Sequence, residues 1–98
     1  MSAPIYLGDE LGAAGYRLAG AQVRTPGAGE AAAALADARA RAPLVLVSAR
    51  VAAQIGAATL QHALAAAAPL VLVVPDFQAD TPLPDLAARL RAQLGFEA

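Results

Sequence analysis

Ninety-eight residues, 58% of them hydrophobic and 15% charged, fit one folded domain and exclude a disordered chain. A net charge of −1, with every basic residue a scattered arginine, leaves no electrostatic footprint for nucleic acid and no lysine for nucleophilic or phosphate-binding work. The absence of cysteine excludes disulfides and thiolate chemistry.

The first element is a short apolar run, Ile5 to Leu7, which reads as a strand. GDELGAAGYRLAG follows at 8–20, with Gly8 and Asp9 at the strand-to-helix junction and Leu11, Ala14 and Leu18 marking one helical face. Asp9 suits an N-cap or a first-turn carboxylate favoured by the helix dipole. Gly15 suits a close helix–sheet approach, and Gly20 a tight turn out of the helix. AQVRT, residues 21–25, alternates Ala21, Val23 and Thr25 against Gln22 and Arg24, as an edge strand with one wetter face does. PGAGE is a loop. Residues 30–42 form a helix on which Asp37 precedes Arg41 by four positions, the favourable order for an ion pair.

PLVLV occurs at residues 43–47 and again at 69–73. Apolar runs without polar alternation read as strands covered on both faces, as in a parallel sheet. The helix-prone stretch between them supplies the crossover of a βαβ unit. Its apolar residues switch faces, Val51 and Ile55 against Leu60 and Leu64, with Gly56 between, so a break at Gly56 or a helix buried on two sides is expected. The strand at 69–73 leaves through Pro75 into a Pro-rich linker at 76–84. Residues 85–98 then carry a terminal amphipathic helix: Leu86, Leu90 and Leu94 continue a stripe that begins at Leu83 in the linker, Asp85 and Arg89 pair away from it, and Gly95 followed by Phe96 marks the stop.

The expected fold is therefore a three-layer α/β domain over residues 1–98, with a core at 1–75. A four-stranded parallel sheet in order 2-1-3-4 is flanked by helices, and the strands at Ile5 and Val45 are central. The N-terminus lacks the regions of a signal peptide, and the longest apolar tract, residues 63–75, is too short for a membrane span and contains Pro69. A soluble, cytoplasmic protein without membrane insertion is expected.

No catalytic constellation assembles. GDELGAAG lacks the G-x-G-x-x-G spacing, and a Walker lysine is impossible. A phosphoacceptor domain needs an aspartate ending its third strand, a hydroxyl after the fourth and a lysine beyond; here the third strand ends Ser48-Ala49-Arg50 and the fourth Val74-Pro75-Asp76. His62, the one histidine, has Gln61, Ala63 and Leu64 beside it and reads as a helix surface residue rather than a metal ligand. Ser48 lacks a nucleophile-elbow setting. Asp76 and Asp80, flanking Phe77 and close to the strand end, read as a solvated linker. No cofactor or metal is expected.

GDELGAAGYRLAG resembles the opening of the F-type subunit of V/A-type rotary ATPases, in which an apolar strand and a Gly-Asp pair lead into a helix reading G-[FY]-R-L-A-G. Here that motif is Gly15-Tyr16-Arg17-Leu18-Ala19-Gly20. LVLVSARVAAQI at 44–55, PLVLVVP at 69–75 and LAARLRAQLGFE at 86–97 are similar to the family's third strand, its fourth strand and its terminal helix, in that order. The chain departs from the family in its alanine richness, in the linker VPDFQADTP, where an Ile-Pro-Ser type exit is usual, and in stopping soon after Phe96.

The resemblance implies a receiver-like, non-catalytic subunit of the central stalk. Such a subunit binds the coiled-coil (D-type) shaft and, through it, the catalytic ring and the membrane rotor, at the cytoplasmic side of the membrane. It helps couple ATP hydrolysis or synthesis to H+ or Na+ transport. Arg17, Leu86, Arg89, Leu90, Leu94 and Phe96 are the expected partner-binding residues, and Gly8, Asp9, Gly15, Gly20, Pro75 and Gly95 the structural ones. Two readings stay open for Arg17, the last carbonyls of its own helix or a salt bridge to the shaft. Two also stay open for the leucine stripe, the home sheet or a partner's groove. The alternative for the whole chain is a stand-alone receiver-like binding domain without phosphoacceptor chemistry.

Overall fold

In the computed structural model, which describes residues 3–75, the chain alternates strand and helix. Strand β1 is Ile5–Leu7, helix α1 Glu10–Leu18, β2 Gln22–Arg24, α2 Ala31–Arg41 and β3 Leu44–Ser48. Two short helices, α3 (Ala49–Ala52) and α4 (Ala57–Ala65), precede β4 (Leu70–Val74). The four strands are all parallel and lie in the order β2-β1-β3-β4. The path runs outward from β1 to β2, then crosses back to β3 and on to β4. Right-handed crossovers in opposite directions put their helices on opposite faces. Accordingly α1 packs on one face, against Tyr6 and Leu46, while α2, α3 and α4 pack on the other, against Ile5, Leu7, Val45, Val47 and Val71. The terminal helix expected at 85–98, the linker before it, and Leu86, Arg89, Leu90, Leu94, Gly95 and Phe96 lie outside the described residues.

Helix α1 lies on the sheet by a different face from the one its leucines suggest. Gly12, Ala13, Gly15, Tyr16 and Ala19 are buried, whereas Ala14 is half-buried and Leu18 is 49% exposed. The reason is the two-residue connection Gly8–Asp9, which holds α1 close above β1. At that distance small side chains fit, and one large group, the Tyr16 ring, fills the remaining depth by stacking on Tyr6, centroids 4.0 Å apart and planes 13° from parallel.

The end of α1 is a Schellman turn. Gly20 N–H donates to the Arg17 carbonyl at 3.1 Å and Ala21 N–H to the Tyr16 carbonyl at 3.0 Å, with Gly20 at φ +109°. Only glycine takes that backbone region without strain, so Gly20 is fixed by the turn.

The crossover from β3 to β4 is broken where the sequence suggests. Ala53, Gln54 and Ile55 N–H groups close α3 onto the carbonyls of Ala49, Val51 and Ala52, and Gly56, with extended ψ, starts α4 afresh. Val51 and Ile55 enter the core, Leu60 packs against it, and Leu64 stays outside.

The second PLVLV copy corrects the expectation of burial on both faces. In β4 only Val71 is buried; Leu70, Leu72 and Val73 are exposed. Among the described residues β4 pairs with β3 alone, so it is a sheet edge, and α4 buries only Ala63 against this side of the core.

Candidate functional site at the strand C-termini

The path reverses direction between β1 and β3, and crossovers leave these two strands on opposite faces. In open α/β sheets such a switch point opens a crevice at the strand C-termini, where ligands usually bind. Here that position lies between Gly8 and Asp9 after β1 and Ser48 and Ala49 at the end of β3.

Both residues there that could do chemistry serve the backbone. Asp9 Oδ1 accepts from Gly12 N–H at 2.9 Å, which makes Asp9 the N-cap of α1, and its carbonyl accepts from Ala13 N–H at 2.8 Å. Ser48 Oγ accepts from Val51 N–H at 3.1 Å, capping α3, and the residue is completely buried. A hydroxyl held in this way satisfies an otherwise orphaned donor at a helix start.

An aromatic ring fills the space beneath the junction. Tyr6, 1% exposed, lies against Gly8 and Gly12, and a Cβ at either glycine would run into it: at Gly8 into both hydroxyl and ring, at Gly12 chiefly into the hydroxyl oxygen. This accounts for both glycines by close approach of a side chain, without a ligand. Gly12→Ala should destabilise by about 1–3 kcal/mol, the usual cost of overpacking. In a double-mutant cycle, Tyr6→Phe should recover part of that loss for Gly12→Ala and little for Gly8→Ala, as read by urea denaturation.

The remaining expected site residues are dispersed. Arg17 is exposed in the last turn of α1, and its guanidinium forms no hydrogen bond or ion pair with another described residue. Because Gly20 and Ala21 already bond the carbonyls of residues 17 and 16, helix termination does not depend on the Arg17 side chain. Gly15 is buried on the sheet-facing side of α1, and Pro75 is exposed at the exit from β4. His62 is exposed on α4. Among the described residues no group of three or more His, Cys, Asp or Glu is placed to hold a metal ion, and no helix is long and apolar enough to cross a membrane.

Away from the switch point, an open groove of about 380 Å³ separates the end of β2 from α2, lined by Arg24, Thr25, Pro26, Glu30 and Asp37. Its polar groups are engaged locally: Glu30 Oε1 accepts from Gly27 N–H at 2.8 Å, Arg24 Nη1 donates to the Val23 carbonyl at 3.3 Å, and Asp37 binds Arg41. No pattern in the sequence brings these residues together; the short β2 and the Gly-rich loop do.

Comparison with known proteins yields no match to a protein-family model, a curated protein or a solved structure.

Proposed function

We propose that this chain is the small non-catalytic rotor subunit of a V/A-type ATPase or ATP synthase, the F-type subunit of the central stalk. In this role it grips the coiled-coil shaft and helps couple ATP turnover in the catalytic ring to H+ or Na+ movement through the membrane rotor. It acts at the cytoplasmic side of the membrane and carries out no reaction itself.

The observation that supports this reading is how Gly15-Tyr16-Arg17-Leu18-Ala19-Gly20 divides. Gly15, Tyr16 and Ala19 are buried, and Gly20 makes the Schellman turn, so four of the six positions have a structural reason. Arg17 and Leu18 face outward, and the fold gives neither its identity. An arginine beside an exposed leucine is the kind of pair that anchors a protein interface: one part buries apolar area, the other fixes orientation by charge. The chemistry available at the switch point is consistent with a binding role, since Asp9 and Ser48 are spent as caps.

Co-expression with the coiled-coil shaft subunit of a V/A-type ATPase from the same genome, followed by size-exclusion chromatography, tests the proposal. The two chains should co-elute, and Arg17→Glu should weaken co-elution while leaving the thermal unfolding midpoint unchanged. A chain that elutes alone in the presence of that subunit overturns the proposal. So does a mass increment at Asp9 after incubation with a small phosphodonor, which would make the chain a phosphoacceptor domain.

A further inference from the structure

We draw no further inference here: the strongest candidate, the apolar surface that Leu70, Leu72 and Val73 present along β4, carries none, because nothing among the described residues shows what covers it.

Discussion

The same five residues, PLVLV, occur twice in this chain and come to rest side by side. Leu44 pairs with Leu70, Val45 with Val71, Leu46 with Leu72 and Val47 with Val73, in parallel register. Their surroundings differ completely. In β3 the run Val45–Val47 is fully buried, between β1 and β4 and between Tyr6 on one face and α2, α3 on the other. In β4 only Val71 is buried. An unbroken apolar run thus specifies a strand in a parallel sheet, while burial follows from its place in the strand order. That order depends on where the crossovers go.

The largest effect should separate the two members of one register pair. Leu46→Ala removes a fully buried side chain and should cost about 2–5 kcal/mol, enough to threaten a domain this small. Leu72→Ala removes a partly exposed one and should cost less than about 1 kcal/mol in the described core. Urea midpoints for the two variants measure the difference. Equal losses would mean that β4 is as enclosed as β3.

A polar probe gives the next contrast. Val47→Thr keeps the shape but places a hydroxyl in a fully buried site, with an expected loss of about 1–3 kcal/mol. Val73→Thr, at a position 42% exposed, lets the hydroxyl reach water and should change stability by no more than about 0.5 kcal/mol. Thermal unfolding resolves both.

The strand exits differ as well. Beyond PLVLV the first copy continues into Ser48, which caps α3; the second continues into Val74 and Pro75. Ser48→Ala should therefore cost about 0.5–2 kcal/mol and Ser48→Asp less, since a carboxylate can also cap. A loss equal for both variants would place the serine's importance in its burial and not in its hydrogen bond.

Much of this was legible from residue patterns, for identifiable reasons. Strand order, the central pair and the break at Gly56 follow from segment lengths, β-branched runs and a glycine between two apolar faces. The inward face of α1 was not legible: leucines advertise burial, but the face that fits a closely held helix is made of Gly12, Ala13, Gly15 and Ala19. The exposure of β4 was hidden because composition cannot distinguish a centre from an edge when neither strand carries polar residues. Asp9 as a cap was readable from its place before a helix. Ser48 carries the same signal, a serine just ahead of a helical run, and capping rather than nucleophilic chemistry is what that position serves. The filling of the junction by Tyr6 had no local signature, since it arises from a strand side chain meeting the loop that follows it.

The helices leading into the two copies supply the last and smallest contrast. Helix α2, before β3, buries Ala31, Leu35 and Ala38 and carries an exposed ion pair in which Arg41 Nε donates to Asp37 Oδ1 at 2.9 Å and Oδ2 at 3.0 Å. Helix α4, before β4, buries only Ala63 and has no ion pair among the described residues. The pair looks like a reason for the better anchoring of β3, but the side chains are 64% and 52% exposed and span one helical turn. Screening and side-chain entropy limit such a pair to about 0.3–0.5 kcal/mol. Arg41→Ala should therefore lower stability by no more than about 0.5 kcal/mol, and roughly 1 M salt should reduce the loss further. Leu35→Ala on the same helix should cost several times more. If Arg41→Ala approached Leu35→Ala, surface charge and not burial would hold α2 against β3, and the distinction between the two PLVLV strands would lie outside the core.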